Sequence, residues 1–181
     1  ADVAACEIGE GTRIWQFVVV LEGAKIGADC NICANSLIES DVKIGDRVTI
    51  KSGVQIWSGS VIEDDVFIGP NATFSNDPYP RSKVYPNLLT CVTIKRGASI
   101  GANATIVCGV ELGEYCFIGA GSVVTKDVPP YALIAGVPGK QIGWMSKHGE
   151  RLYFDNRGFA ECPGTHERYQ LVSDTEIIAL K

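Results

Sequence analysis

Residues 75–93 bring together several side chains that can do chemistry. Within eleven residues the segment offers an amide, a carboxylate, two cations and two phenol rings, which are Asn76, Asp77, Arg81, Lys83, Tyr79 and Tyr85. The planar guanidinium of Arg81 is suited to phosphate or carboxylate, because it makes two parallel hydrogen bonds to either group. The carboxylate of Asp77 can accept a hydrogen bond from an amine or act as a modest base. It can equally cap the turn before Pro78, and the sequence leaves both roles open.

The scaffold that must position these groups follows from a six-residue beat of aliphatic residues. A small or β-branched residue stands two places before most of them, and that spacing puts both side chains on one face of a strand. A period of six is neither helical nor a simple strand alternation. The aliphatic positions, with one gap before Ile94, are Ile8, Ile14, Val20, Ile26, Ile32, Ile38, Ile44, Ile50, Ile56, Ile62, Ile68, Phe74, Ile94, Ile100, Ile106, Leu112, Ile118 and Val124.

A hexapeptide repeat of this kind predicts a parallel β-helix. Each repeat supplies one short strand, and three strands per coil enclose an aliphatic core in a triangular prism. Gly, Asn and Asp often follow the aliphatic positions, as the corners of such a prism require. No stretch up to Val128 keeps a helical i, i+3, i+4 pattern, and the spacing is too short and regular for the hairpins of a sandwich. We therefore predict an all-β fold.

The single gap in the beat predicts where the chain leaves the prism. The step from Phe74 to Ile94 is twenty residues instead of six, and its three prolines prevent regular ladder pairing. We expect residues 75–93 to form an ejected loop. Coil proteins place insertions on their binding face, so a functional loop is favoured over a solvated excursion without a role.

Composition narrows the class of protein. A chain of 181 residues suits one domain with a short appendage, and a net charge of −5 argues against a general nucleic-acid binder. No apolar run approaches the length needed to span a membrane. Seven cysteines without a disulfide framework fit a reducing compartment, so we expect a cytoplasmic protein.

The coils and five short segments carry a resemblance to a known family. The coils, the loop motif of residues 76–81 and the closing segment 135–140 together resemble the left-handed β-helix acyltransferases. Residues 11–15, 74–77 and 141–150 look like the nucleotide-linked amino-sugar N-acetyltransferases, most of all the UDP-2-acetamido-3-amino-2,3-dideoxy-glucuronate N-acetyltransferase family. The left hand of the coil is taken from this resemblance, because parallel crossovers are normally right-handed.

The resemblance implies an acetyl-CoA-dependent enzyme that acetylates the 3-amino group of that uronate for O-antigen and lipopolysaccharide biosynthesis. One alternative is a dTDP-3-amino-3,6-dideoxyhexose N-acetyltransferase. A uronate needs a cation near C6, whereas a 6-deoxy sugar needs an apolar patch. An alternative of another class is a non-catalytic hexapeptide scaffold. A histidine-liganded metal protein of the γ-carbonic-anhydrase kind is disfavoured, because no histidine precedes His148.

Roles for single residues follow from the chemistry and the resemblance together. Asn76 is the first candidate to hold the amine or the thioester carbonyl, with Asp77 as hydrogen-bond acceptor or base. The candidates for substrate binding are Arg81, Lys83, Tyr79, Arg13 and Trp15. By resemblance, the candidates for binding acetyl-CoA are Gly101, Ala102, Gly119, Ala120, Lys126, Gly136 and Lys140. The corner glycines have plain turn geometry as a competing explanation, and the lysines a solvated face.

The chain lacks a histidine where many hexapeptide acyltransferases have their general base. His148 and His166 both follow the last coil. An amine carries its own lone pair and needs no proton removed before it attacks, unlike a sugar hydroxyl. Positioning can then supply much of the acceleration. The missing histidine therefore fits an N-acetyltransferase better than an O-acetyltransferase.

We divide the chain into a β-helix domain, residues 1–140, and an appendage, residues 141–181. Some relatives have a zinc-ribbon-like tail with four ligands. The comparable positions here are Ser146, His148, Cys162 and Thr165, of which only His148 and Cys162 are good ligands. We expect a metal-free, hairpin-like appendage.

The resemblance also implies a homotrimer with active sites at subunit interfaces. Outward aromatic residues are consistent with faces that pack on neighbours. They are Phe17, Trp57, Phe67 and Phe117.

Overall fold

Each hexapeptide forms one short strand. A computed structural model describes residues 1–84, 86 and 89–180. Within those ranges the chain has no helix, and so no helix that could cross a membrane. The strands of the coils are β1 (Asp2–Val3), β2 (Glu7–Ile8), β3 (Arg13–Ile14), β4 (Val19–Val20), β5 (Lys25–Ile26), β6 (Asn31–Ile32), β7 (Leu37–Ile38), β8 (Lys43–Ile44), β9 (Thr49–Ile50), β10 (Gln55–Ile56), β11 (Val61–Ile62), β12 (Phe67–Ile68), β13 (Thr73–Phe74), β14 (Thr93–Ile94), β15 (Ser99–Ile100), β16 (Thr105–Ile106), β17 (Glu111–Leu112), β18 (Phe117–Ile118) and β19 (Val123–Val124).

The coils stack by parallel pairing of strands three repeats apart. Glu7 pairs with Lys25 and Arg13 with Asn31, so one coil holds eighteen residues. Three faces result: face 1 with β2, β5, β8, β11, β14 and β17; face 2 with β3, β6, β9, β12, β15 and β18; and face 3 with β1, β4, β7, β10, β13, β16 and β19. The predicted all-β parallel β-helix of hexapeptide repeats is confirmed. Its left hand stays a prediction from the resemblance.

The aliphatic positions form the core. Ile32, Ile50 and Ile100 are fully buried, whereas Ile8 is 40 % exposed, because its strand at the end of face 1 has a neighbour on one side only. Full burial of one such side chain stabilises the fold by about 1.5–3 kcal/mol. The corners between strands use left-handed backbone at residues such as Asn71 and Asn103, with φ of 56° and 55°. Asparagine tolerates this conformation better than most residues do.

The ejected loop is confirmed. It leaves the prism after β13 and returns at β14, at the corner between faces 3 and 1. Paired residues on face 1 are otherwise eighteen positions apart in the sequence. Across the loop, Val61 pairs with Thr93, so the separation is larger there. The prism itself continues above the loop, since Thr93 pairs onward with Glu111.

The appendage begins as an extension of face 2. The strands that follow β19 are β20 (Ala132–Ala135), β21 (Lys140–Met145), β22 (Arg151–Leu152), β23 (Phe159–Glu161), β24 (Arg168–Ser173) and β25 (Glu176–Ala179), of which β20 precedes the appendage. Strand β20 pairs parallel with β18, and β21 pairs antiparallel with β20. The last three strands form a separate antiparallel sheet. The proposed boundary after residue 140 falls inside β21, whose first residue is Lys140, and the division into two parts stays a prediction.

Aromatic packing joins this small sheet to the coils. The rings of Tyr115 and Tyr131 stack with centroids 5.6 Å apart, and Tyr169 meets Tyr131 edge-on at 5.8 Å. The Lys147 amine lies 5.9 Å from the centre of the Tyr115 ring and 2.9 Å from a Glu167 oxygen. The hydrogen bond to Glu167 raises the pKa of the Lys147 amine.

Candidate active site

The base of the loop is closed by backbone and side-chain hydrogen bonds. The carbonyl oxygen of Asn76 accepts from the Thr90 amide at 2.9 Å, which joins the two arms of the loop. The Ser75 hydroxyl accepts from the Cys108 amide at 2.9 Å, so the first arm is tied to the next coil. The second arm is tied there through the Cys91 carbonyl, which accepts from Gly109 at 3.0 Å. These bonds hold Asn76, which is half-buried, at the root of the loop.

Asp77 has the turn role that its sequence context allows. Its Oδ1 accepts a hydrogen bond from the Tyr79 amide at 2.8 Å, across Pro78. This Asx-type turn satisfies one backbone donor and engages one carboxylate oxygen. A role for Asp77 in catalysis stays a prediction, and it would have to coexist with this turn.

The outer part of the loop forms a small cleft of about 210 Å³. The described residues that line it are Asp77, Pro78, Tyr79, Val84, Pro86 and Thr90. Arg81 and Lys83 are exposed and do not line it, and the Arg81 guanidinium donates to the Pro80 carbonyl at 2.9 Å. Tyr79 is 85 % exposed. The other loop tyrosine singled out from the sequence, Tyr85, lies outside the described residues.

A second cleft, of about 340 Å³, lies beside the last coil and holds both predicted phosphate-binding lysines. Lys126 and Lys140 line it together with the carboxylate of Asp127, which accepts from the Glu111 amide at 2.8 Å, and apolar groups such as Val124 and Pro138. Residues 138–141 reach the coil through the Gly139 amide, which donates to the Val123 carbonyl at 2.7 Å. Within the described chain no carboxylate lies within 4.0 Å of either amine. The two cations are thus available to an anionic group.

The loop and the lysine cleft share one edge of the prism. The chain passes the corner between faces 3 and 1 at the loop, then at residues 107–109, then at 125–127. Cys108, between the two levels, bonds to Ser75, and Val107 donates to the Val124 carbonyl at 3.0 Å. With strands about 4.8 Å apart, the base of the loop and Lys126 are separated by roughly 10 Å along the axis. One extended ligand can therefore span both.

The predicted corner positions lie at the neighbouring corner, between faces 2 and 3. A Cβ on Gly101 would approach the Ala120 amide nitrogen to 2.5 Å, so coil stacking alone requires glycine there. A Cβ on Gly119 would meet the Ile134 carbonyl oxygen at 3.1 Å. Ala102 accepts a hydrogen bond from the Gly121 amide at 2.8 Å. Their contact with acetyl-CoA stays a prediction.

Gly136 has left-handed backbone with a φ of 97°. Its amide donates to the Ser122 hydroxyl at 3.2 Å, and its carbonyl accepts from Val123 at 3.0 Å. These bonds fix the start of the segment that carries Lys140 over the last coil.

Arg13 and Trp15 are not brought to the loop within one chain. Arg13 begins β3, the strand of face 2 that lies three coils below β12, roughly 14 Å along the axis, and Trp15 directly follows that strand. The Trp15 indole donates to the Asn31 side chain at 2.7 Å. Their assignment to the substrate stays a prediction.

The appendage contains a polar cluster where some relatives were expected to have a zinc-ribbon-like tail. The Cys162 thiol lies 3.2 Å from both the Ser146 hydroxyl and a Glu150 carboxylate oxygen. Gly164 donates to the same carboxylate at 2.6 Å, and the two bonds from Cys162 and Gly164 lower the pKa of Glu150. Among the described residues, no group of three or more His, Cys, Asp or Glu side chains is arranged to hold a metal ion. Hydrogen bonds therefore connect the segment around Ser146 and Glu150 to the segment around Cys162 and Gly164.

Two features of the site were missed from the sequence. The apolar part of the loop cleft, from Val84 and Pro86, had no signal beyond two apolar letters in a loop. Trp57 was interpreted as an outward residue for subunit packing. It is half-buried against the core, and its indole bonds to the strand that precedes the loop. A tryptophan one coil before the insertion was the available signal.

Comparison with known proteins supports the class of hexapeptide-repeat acyltransferases. The family described as bacterial transferase hexapeptide (six repeats) matches residues 5–40, 41–76 and 91–126, so its gap falls on the loop. The dTDP-3-amino-3,6-dideoxy-α-D-galactopyranose 3-N-acetyltransferase of Aneurinibacillus thermoaerophilus is 52% identical over 163 residues, which cover 90% of this chain and 85% of that protein. The bifunctional protein GlmU of Thermotoga petrophila is 32% identical over 78% of this chain and 36% of its own length.

Solved structures agree on the fold. A hexapeptide-repeat acetyltransferase of Vibrio cholerae, solved with acetyl coenzyme A, is 25% identical and superposes with a TM-score of 0.56 over 77% of this chain and 71% of its own. A hexapeptide transferase family protein of Anaplasma phagocytophilum has a TM-score of 0.59 over 77% and 81%, at 18% identity. The predictions of a hexapeptide-repeat acyltransferase and of an enzyme that uses acetyl-CoA are confirmed at this level. The chain belongs to the hexapeptide-repeat family of bacterial transferases.

Proposed function

We propose that this protein transfers the acetyl group of acetyl-CoA to the 3-amino group of a dTDP-3-amino-3,6-dideoxyhexose. The observation that carries the proposal is the 52% identity with an enzyme named for that reaction, over 90% of this chain. The first expectation from the sequence was a UDP-linked 3-amino uronate. The relatives favour the alternative, so we retain the amino-sugar class and change the sugar. A role in O-antigen biosynthesis remains part of the proposal.

The loop cleft supports a 6-deoxy sugar over a uronate. Its described lining includes the carboxylate of Asp77, the apolar side chains of Pro78, Val84 and Pro86, and no cation. A uronate carboxylate placed there would face Asp77 without a compensating charge. A methyl group at C6 would instead meet the apolar side chains.

The chemistry requires little of the protein beyond positioning. An unprotonated amine attacks the thioester carbonyl with its own lone pair, the C–S bond breaks as the CoA thiolate leaves, and the surplus proton on the nitrogen passes to Asp77 or to the departing thiolate. Asn76 would hold the amine or the carbonyl oxygen, and Asp77 would accept a hydrogen bond from the amine. Correct placement of two bound reactants can supply about 7–11 kcal/mol of the barrier reduction.

Local cations would bind the anionic groups of both substrates, although the whole chain has a net charge of −5. Lys126 and Lys140 would meet the phosphates of acetyl-CoA, whose reactive end would then extend along the shared edge toward Asn76. Arg81 and Lys83, exposed on the loop, would meet the diphosphate of the nucleotide sugar.

We further propose a homotrimer that packs through face 3. The outward first residues of its strands from β4 onward carry no charge: Val19, Leu37, Gln55, Thr73, Thr105 and Val123. On face 1 four of the six equivalent residues are charged: Glu7, Lys25, Lys43 and Glu111, beside Val61 and Thr93. An uncharged sheet face suits contact with another subunit.

Two assays test the proposed function. CoA should raise the melting temperature, because a ligand at 100 times its Kd stabilises the folded state by about 2.7 kcal/mol. Acetyl-CoA with dTDP-3-amino-3,6-dideoxygalactose should release free thiol, and Asn76→Ala should lower kcat on the order of a hundredfold, as loss of one preorganised hydrogen bond does. If CoA does not stabilise the chain and no thiol is released, the protein is the non-catalytic hexapeptide scaffold that the sequence left as an alternative. Unchanged turnover by Asn76→Ala would remove that residue from the site.

A further inference from the structure

Face 3 is interrupted where the loop leaves the prism. Among the described residues this face divides into two hydrogen-bonded sheets, β1-β4-β7-β10 and β13-β16-β19. Below the division, backbone bonds follow a regular spacing, with the Leu21 amide donating to Ile38 at 2.9 Å and the Glu39 amide donating to Ile56 at 3.0 Å. The same spacing would next join the Trp57 amide to the Phe74 carbonyl.

A side chain makes that connection instead. The indole Nε1 of Trp57 donates to the Phe74 carbonyl oxygen at 2.6 Å. This bond therefore crosses the interruption between β10 and β13. The ring is half-buried and packs on the core, so its N–H is held in place by the packing around it.

The bond acts on the first peptide of the loop. Phe74 is the last residue of β13, and Ser75 and Asn76 follow it directly. The opposite side of the same segment is tied to the next coil, where the Ser75 amide donates to Ile106 at 3.2 Å and its hydroxyl accepts from Cys108 at 2.9 Å. Asn76 thus follows a segment, Phe74–Ser75, that is hydrogen-bonded on one side to the Trp57 indole and on the other side to the next coil.

We propose that Trp57 is a positioning residue that fixes Asn76 through its indole N–H. This inference rests on the proposed function, because Asn76 is a catalytic group only in that reaction. Phenylalanine would retain most of the packing of the ring but has no N–H donor.

Trp57→Phe tests the N–H with most of the packing retained. We expect kcat to fall roughly ten- to hundredfold, because small misplacements at a reacting centre have effects of that size, while KM for acetyl-CoA stays unchanged. The matched control is Ser36→Ala, which removes another side-chain bond between coils, from Ser36 to the Lys51 carbonyl at 3.3 Å, on a coil below the loop. Ser36→Ala should keep its kcat.

A double-mutant cycle separates positioning from general damage. If Trp57 acts through Asn76, Trp57→Phe should change kcat less than about twofold in an Asn76→Ala background, because residues that act as a unit are not additive. Equal factors in both backgrounds, or an unchanged kcat in the single variant, would overturn the inference.

A second measurement does not depend on turnover. Trypsin can cleave after Arg81 and Lys83, and release of the Phe74 carbonyl should speed cleavage at these bonds in Trp57→Phe relative to Ser36→Ala. Equal cleavage rates would overturn the inference. If the unmodified chain acetylates no amino sugar, the proposed function fails instead, and the trypsin comparison still decides whether the indole holds the loop.

Discussion

Asp77 illustrates, at the scale of one residue, how a side chain can serve the fold and the chemistry together. One oxygen holds the turn through the Tyr79 amide, and the residue also lines the loop cleft. Asparagine retains the turn acceptor and removes the charge, whereas alanine removes both. The two substitutions therefore separate the roles.

We predict that Asp77→Asn lowers kcat/KM for the amino sugar on the order of a hundredfold, as loss of a general base does, with little change in melting temperature. Asp77→Ala should lower both, because the turn is lost as well. Full activity in Asp77→Asn would restrict this residue to the turn.

Lys126 and Lys140 lead to a prediction about the cosubstrate. Replacing either with alanine should raise KM for acetyl-CoA several-fold and leave kcat unchanged, since a phosphate contact far from the reacting centre contributes uniform binding. Acetyl-pantetheine has no nucleotide phosphates, and its KM should not respond to either change. An equal rise in KM for acetyl-CoA and for acetyl-pantetheine would show that the lysines do not act through the nucleotide phosphates.

The position of each candidate site residue could be predicted from the sequence, because the repeat assigns it a level and a corner, whereas its role stays a prediction. Lys126 stands two coils above the loop by counting alone, and the cleft it shares with Lys140 follows from a segment that folds back over the last coil. The role proposed for Trp57 could not be predicted. The repeat correctly places Trp57 directly after an inward aliphatic residue. The direction of its indole N–H depends on the hydrogen bond to the Phe74 carbonyl at the interruption of face 3, which the repeat does not encode.

At the scale of the elements, one of the small inward residues of the repeat, Cys116, affects how the stability of the fold depends on pH. Burial raises the pKa of the Cys116 thiol to about 12, from an ordinary value of 9.0. A raised pKa in the folded state stabilises the fold at neutral pH, and this contribution is lost as the pH rises from about 9, where the unfolded thiol ionises, toward the folded value.

We predict that Cys116→Ala is less stable than the unmodified chain at pH 8 because it leaves a small cavity, and that the difference narrows above pH 9. One thiol of this kind changes the free energy of unfolding by up to about 1.4 kcal/mol per pH unit in that range. Urea unfolding of both proteins at pH 8 and pH 10.5 measures it. A constant difference at both values would show that Cys116 ionises equally in both states.

The elements also show where pattern reading ends. The aliphatic beat predicts each strand from Ile8 to Val124, because one inward residue per repeat determines the register. The beat does not record which neighbouring coils form ladder bonds, so the division of face 3 between β10 and β13 was not foreseen. The appendage lies outside the repeat, and its antiparallel sheet depends on contacts between residues far apart in sequence, such as Tyr131 and Tyr169.

At the scale of the whole molecule, charge is distributed unevenly over the prism. Face 1 has ion pairs between coils, with Lys25 and Glu7 at 2.7 Å and Lys95 and Glu63 at 3.2 Å. Exposed pairs of this kind add little stability but keep the face hydrated. Face 3 has no comparable charge on its outward strand positions from β4 onward. This contrast disfavours face 1 as the interface of the proposed trimer.

The same substitution on two faces tests the assembly. Val19 on face 3 and Val61 on face 1 are both half-buried first residues of their strands. Val19→Lys should abolish a particle of three times the 19.4 kDa chain mass, because lysine would be desolvated at the interface, while Val61→Lys should leave it intact. Light scattering after gel filtration measures the mass. Dissociation caused by Val61→Lys alone would move the interface to face 1.

The most direct test of the proposed function is a comparison of kcat/KM for two 3-amino sugars offered with acetyl-CoA. One is dTDP-3-amino-3,6-dideoxygalactose, and the other is UDP-2-acetamido-3-amino-2,3-dideoxyglucuronate. We predict acetylation of the first at N3 with a preference of at least about a hundredfold, because the uronate would place a second carboxylate beside Asp77 in a cleft whose described lining holds no cation. A preference for the uronate, or no acetylation of either sugar, would contradict the proposal.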